Sequence, residues 1–245
     1  MDSTSKQNEL TQRFLNAAAH VELALKHRYP DAKLIGLGAA VRYAEKQKHP
    51  IVTRNIFALH ALTDLRNAIA HSDYRNNMPV AIPREDAVIA FEELAALIEN
   101  APQVSSAMSK PVTLAPSASL AVACQIIINQ DLSQIPVCDD NDYVGLLTTN
   151  ALARWVSAAV ARGKGDVIEG DIVVADILAS AEGYECAAFV KPSYSVTTTC
   201  ERLMGDNAPV ALLVSADGKP SKTIQGILTR FDVPSMMKTL TVAFG

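Results

Sequence analysis

A chain of 245 residues, 49% hydrophobic and 20% charged with a net charge of −4, has the make-up of a globular protein of two domains. Basic and acidic residues balance over residues 1–100 and the remainder is mildly acidic, so neither half has the positive excess that draws a protein onto nucleic acid by charge alone. The longest apolar stretches, around Ile126-Ile127-Ile128, fall far short of the roughly 18 residues of a membrane helix. The polar start Met1-Asp2-Ser3-Thr4-Ser5-Lys6 lacks the pattern of a secretory signal, and a soluble, cytoplasmic protein is expected.

In the first hundred residues Leu10, Phe14, Val21 and Leu25 recur at helical spacing, as do Leu59, Leu62, Leu65 and Ile69. Four helices are predicted, at about 6–28, 34–47, 52–73 and 84–100, with Pro30, Pro50 and Pro83 at their ends, where proline is tolerated. On the third, His60, Asp64, Asn67 and His71 share one face while Leu62, Leu65 and Ile69 take the other. Asp64 can pair with Arg66 or His60; a metal site from His60, Asp64 and His71 is possible by spacing, but no further ligand stands elsewhere to complete it, and no metal is expected.

The stretch Leu65-Arg66-Asn67-Ala68-Ile69-Ala70-His71 resembles the R-x4-H motif of HEPN domains, all-helical dimeric modules of which some are metal-independent endoribonucleases. The resemblance covers about residues 5–100. If it extends to activity, it implies catalytic roles for Arg66, Asn67 and His71, with His71 moving a proton and Arg66 stabilising phosphate charge. The alternative it leaves open is an interaction domain in which the pair only holds helices together.

From Ala101 to Pro116 the chain is rich in Ser, Pro and Ala, and a domain boundary is expected near residue 103. Beyond it a repeat is visible. Pro116-Ser117-Ala118-Ser119 is answered by Pro192-Ser193-Tyr194-Ser195, and Cys124 and Cys200 each follow their proline by eight residues. Gly145-Leu146-Leu147-Thr148 is answered by Gly226-Ile227-Leu228-Thr229. Strands are predicted at Val210 to Val214 and Ile224 to Leu228, with the polar stretch 215–222 as a longer hairpin loop in the second copy. The cysteines Cys124, Cys138, Cys186 and Cys200 form no CxxC pair and are expected to be reduced core residues.

Each copy, a proline-started helix, a hairpin and a strand ending in Gly-x-x-Thr, resembles the CBS motif, here as a tandem pair over about residues 104–242. The resemblance implies a pseudo-twofold cleft for an adenine nucleotide such as AMP, ADP or ATP. The positions it assigns to nucleotide binding are Ala115, Leu132, Ser133, Ile227, Thr229, Arg230 and Asp232. The Asp232 carboxylate would take the ribose hydroxyls, Thr229 ribose or phosphate, and Arg230 the phosphate. Thr229-x-x-Asp232 also has the spacing of a capping box, although Pro234 sits badly in a helix begun at Thr229. In the first copy the acidic position is Ala151, so Thr148 and Asn150 would make at most a weaker second pocket, with Asn150 as N-cap of a helix over 151–161. Trp155 on that helix is expected in core or dimer packing.

The expected fold is α+β: an all-α four-helix unit over 1–102, then an α/β pair over 103–245, with copies at about 104–165 and 170–242. The expected function is that of an adenine-nucleotide sensor controlling a HEPN-like homodimer. A nucleotide-gated endoribonuclease and a dimerising scaffold with a degenerate pair are the alternatives, RNA being disfavoured by the charge balance.

Overall fold

The computed structural model describes residues 3–71, 81–163, 171–220 and 223–243. The chain forms two compact units, Met1–Pro102 with Met237–Gly245, and Gln103–Met236. The chain's tail thus falls with the helices, whereas the sequence reading carried the second copy to residue 242.

The first unit contains α1 (Ser3–Arg28), α2 (Leu37–Lys46), α3 (Pro50–Arg54), α4 (Ile56–His71) and α5 (Glu85–Glu99). Apolar residues at helical spacing (Phe14, Ala18, Val21 and Leu25 on α1; Leu37, Ala40, Val41 and Ala44 on α2; Val88, Phe91 and Leu94 on α5) meet in one core. The rings of Phe14 and Phe91 lie 5.0 Å apart at its centre. Burying each of the Val, Leu and Phe side chains among them is worth about 1.5–3 kcal/mol, and this burial holds the helices together.

Polar side-chain contacts fix the register of α1 on α5: the ion pairs Lys6 with Glu85 at 3.1 Å and Arg13 with Glu92 at 2.7 Å, and the His20 imidazole against Glu99 at 3.1 Å. Each step advances seven residues on both helices, so the two run parallel with a heptad-like seam. Such half-exposed pairs add little stability individually. Arg13 grips Glu92 through two hydrogen bonds and so holds its carboxyl below the ordinary value.

Two helix boundaries differ from expectation. Gly36 takes a positive φ of 79° and delays α2 to Leu37. The helix predicted over 52–73 is broken at Asn55, which separates α3 from α4. The buried Asn55 amide donates to the Ile51 carbonyl (2.7 Å) and the Leu240 carbonyl (2.9 Å), and its oxygen accepts from the Val242 N–H (3.0 Å). A polar side chain that satisfies two backbone groups of the tail replaces the continuous ladder.

The second unit contains α6 (Leu120–Gln130), the hairpin β1 (Gln134–Asp139) and β2 (Asp142–Thr148), α7 (Thr149–Ala161), α8 (Val174–Leu178), β3 (Ala187–Val190), α9 (Val196–Met204), β4 (Ala211–Ser215), β5 (Ile224–Leu228) and the start of α10 (Val233–Lys238). β1 and β2 pair antiparallel, and Leu114 bridges to Val137 in parallel on the outer side of β1. In the second copy β3 and β4 pair in parallel and β4 and β5 antiparallel. The same three-stranded pattern therefore occurs twice, and the strands read from sequence at 210–214 and 224–228 are β4 and β5. All five residues of β4, the central strand, are buried. Among the cysteines Cys200 is buried, but Cys186 is exposed, contrary to the expectation of four core thiols. Trp155 is half-buried against the first copy's core.

Candidate functional site

The two copies are tied by reciprocal exchange of their lead-in segments. Val104 N–H donates to the Tyr194 carbonyl and Ser105 N–H to the Pro192 carbonyl; in the mirror arrangement Val174 N–H donates to Ala118 and Ala175 N–H to Pro116. Each Pro-Ser-x-Ser turn thus holds the segment that leads into the other copy. Ser119 and Ser195 then serve as N-caps of α6 and α9. Ile172, Val174 and Ile177, which precede the second copy, complete the core of the first.

The exchange explains the glycine of Gly-x-x-Thr. A Cβ at Gly226 would overlap the Met108 sulfur and come within 2.7 Å of its Cγ, and a Cβ at Gly145 would stand 3.2 Å from a Leu178 methyl. Each strand is bare where the other copy's lead-in crosses it.

At the end of β5, Thr229 opens a 3-10 turn, Arg230–Asp232, with a full capping box. Asp232 Oδ2 accepts from the Thr229 N–H (2.7 Å) and the Thr229 hydroxyl (3.0 Å), while Thr229 Oγ1 accepts from the Phe231 N–H (3.3 Å). The objection from Pro234 falls because the box caps the short turn, and α10 begins only at Val233 with the proline in its first turn. The Thr229 hydroxyl proton is committed to Asp232. Asp232 Oδ1 makes no hydrogen bond among the described residues.

At the matching end of β2, Thr148 caps α7 by accepting from the Ala151 N–H at 2.9 Å, so Thr148 and not Asn150 is the N-cap, and the helix begins at Thr149. The Thr148 hydroxyl donates to Glu185 Oε1 at 2.7 Å. Glu185 Oε2 accepts from the Glu182 N–H at 2.9 Å and forms an ion pair with Arg154, whose Nε donates to the Ser180 carbonyl at 3.0 Å. The Glu185 side chain is only 1% exposed. Neither Arg154 nor Glu185 was singled out from sequence.

Ile227 pairs with Leu213 on one side and exchanges two hydrogen bonds with Ser109 on the other. The Ser133 carbonyl accepts from the Thr149 N–H, which brings Ser133 to the head of α7 beside Thr148 and Asn150. Leu132 is half-buried against the first core. Ala115, Ser133, Asn150 and Arg230 are exposed. Arg230 lines a hollow of about 460 Å³ with Met204 and Phe231. A cleft of about 440 Å³ lies between the lead-in (Lys110, Thr113), the first hairpin (Cys138, Asn141) and the start of β5 (Thr223, Gln225), all outside the expected set.

Tyr143 of β2 packs edge-on to Phe189 of β3 with ring centroids 5.2 Å apart, and burial pushes its hydroxyl up to about 12. In the helical unit Arg66 donates to the Asn67 side chain at 3.4 Å. The His60 imidazole lies 3.4 Å from Glu45, Asp64 is exposed, and the His71 side chain lies outside the described residues. No described helix is long and apolar enough to cross a membrane.

Residues 104–158 match the family model of the CBS domain. Among solved structures, CBSX2 in complex with AMP is 20% identical, with 54% of this chain and 93% of that chain covered and a TM-score of 0.41. The CBS domain pair of protein MJ0100, in complex with 5'-methylthioadenosine and S-adenosyl-L-methionine, is 20% identical over 58% of this chain and 99% of its own, with a TM-score of 0.42. Protein MJ1225 from Methanocaldococcus jannaschii is 16% identical over 68% and 57%, with a TM-score of 0.44. No curated protein matches the chain. One copy thus matches the CBS domain, and the other repeats its strand order and is tied to it by mirrored hydrogen bonds and matched glycine contacts.

Proposed function

We propose that the protein is an adenine-nucleotide sensor: a nucleotide binds the pair at the second copy's Thr229–Asp232 turn, and the helical unit delivers the output. The observation that carries this reading is the geometry of Asp232 within a CBS-type pair. Its Oδ2 is pinned by the Thr229 N–H and hydroxyl, which orients the carboxylate, while Oδ1 is left to accept from an incoming donor such as a ribose hydroxyl. Arg230, exposed on the same turn, is available to a phosphate. Ala115, Leu132, Ser133 and Ile227 complete the proposed pocket. AMP, 5'-methylthioadenosine and S-adenosyl-L-methionine, the ligands of CBSX2 and MJ0100, are the compounds to try first.

The output end of the proposal is the HEPN-like reading of α4, with Arg66, Asn67 and His71 and a homodimer as the working assembly. A ligand can act on that unit only through a difference in its affinity for two arrangements of the protein. Thermal melting with AMP tests the binding step. At a hundredfold excess over its dissociation constant, AMP stabilises the wild type by about 2.7 kcal/mol, and Asp232→Ala abolishes that increment. The variant also loses its cap and melts lower without ligand, so the increment and not the baseline is decisive. An undiminished increment in Asp232→Ala overturns the proposal.

A further inference from the structure

Thr148 and Thr229 close matched strands, and each hydroxyl donates to a carboxylate, but the two carboxylates come from different places. At the second copy the acceptor is Asp232, three residues on, at 3.0 Å. At the first copy the matching position is Ala151, and the acceptor is Glu185, which arrives from the segment before β3 at 2.7 Å. The surroundings differ as well. Among the described residues Asp232 has partners on one oxygen only, whereas Glu185 is saturated by the Thr148 hydroxyl, the Arg154 guanidinium and the Glu182 N–H. A guanidinium, a hydroxyl and a backbone N–H converging on one point are the donor set that binds a free carboxylate or phosphate.

We propose that Glu185 is a built-in occupant of the first copy: its carboxylate fills an anion site made by Thr148, Arg154 and the Glu182 amide, and keeps that copy closed to a phosphate-bearing ligand. A tethered group competes at an effective concentration of about millimolar or above, enough to exclude a weak free anion. The pair then takes a single nucleotide, at the second copy. That last step rests on the proposed nucleotide site, whereas the anion site itself does not.

The test uses the full chain, with inorganic phosphate as probe against chloride at equal ionic strength. The wild type melts alike in both salts. Glu185→Ala, which empties the site, melts a few degrees higher in phosphate, and Glu185→Ala combined with Arg154→Ala loses that difference. A folded Glu185→Ala chain that melts identically in the two salts overturns the proposal, whereas one that recovers a cooperative transition only in phosphate supports it. If Glu185→Ala folds in neither salt, Glu185→Ser, which also vacates the site but keeps a small polar side chain, takes its place; the absence of a phosphate shift in that folded variant is also overturning. Calorimetry with AMP separates the two readings. One AMP per wild-type chain rising to two in Glu185→Ala supports both. No AMP bound by the wild type defeats the nucleotide site while the phosphate comparison still decides the anion site.

Discussion

Asn55 is where the chain's tail is fastened to the helical unit, and Asn55→Ala tests how much that fastening contributes. Its side chain makes three hydrogen bonds, two of them to the tail at Leu240 and Val242 and one to Ile51. At about 1 kcal/mol each, their loss costs about 3 kcal/mol. The tail then has two poor choices. If it stays, the Val242 N–H is buried without an acceptor, at a further cost of about 1–3 kcal/mol. If it leaves, Leu240 and Val242, 0% and 8% exposed, lose their burial. The expected total for a tail that stays is about 4–6 kcal/mol. Truncation after Thr239 removes both tail partners, so in that background Asn55→Ala forfeits only the Ile51 bond, about 1 kcal/mol, and the cycle returns a coupling of about 2 kcal/mol or more. Urea unfolding followed by far-UV circular dichroism measures each corner, and Trp155, the single tryptophan, separately reports the second unit. A cost for Asn55→Ala that is the same with and without the tail refutes the reasoning, because Asn55 would then act within α3 and α4 alone.

The lead-in crossing predicts an asymmetry between matched glycines. Gly226→Ala costs about 1–3 kcal/mol because the added methyl meets the Met108 Cβ and Cγ as well as its flexible end, whereas Gly145→Ala costs less because only the tip of Leu178 must shift; equal destabilisation in thermal melts would argue against the crossing. His49 caps α3 by accepting from the Val52 N–H at 3.4 Å, a role for the neutral ring, and burial followed by the nearby Arg28 charge lowers its pKa below the ordinary value. The unfolded chain therefore binds the proton more readily. The contribution of His49 is fully present above about pH 6.5 and is lost as pH falls through the lower folded value. His49→Asn keeps an N-cap acceptor but no titrating ring, and is expected to flatten the melting temperature between about pH 5 and 7 relative to wild type.

What could be read from the sequence was whatever its residues encode locally. The repeat announced itself because Pro-Ser-x-Ser caps a helix and Gly-x-x-Thr ends a strand wherever they occur, and both copies must solve the same local problem. The apolar spacing on α1, α4 and α5 foretold one buried face for each. The break at Asn55 was illegible because its cause, the backbone of residues 240 and 242, lies at the far end of the chain, and nothing in the spacing of 52–73 forbids a continuous helix.

The same limit explains how the two threonines were read. Position 232 carries an aspartate three residues after Thr229, close enough for a motif to register it, and position 151 carries an alanine, which registers as a missing acid. Yet a threonine hydroxyl capping a helix at the end of a buried strand still has a proton to place, and the first copy places it on Glu185. That carboxylate could not be buried alone, and Arg154, one turn and a half into α7, supplies the compensating charge. The first copy therefore takes its acid from the segment that leads into the second copy, together with a guanidinium to hold it, and this difference in where the acid comes from separates a copy that is internally satisfied from one whose carboxylate, among the described residues, keeps an oxygen free.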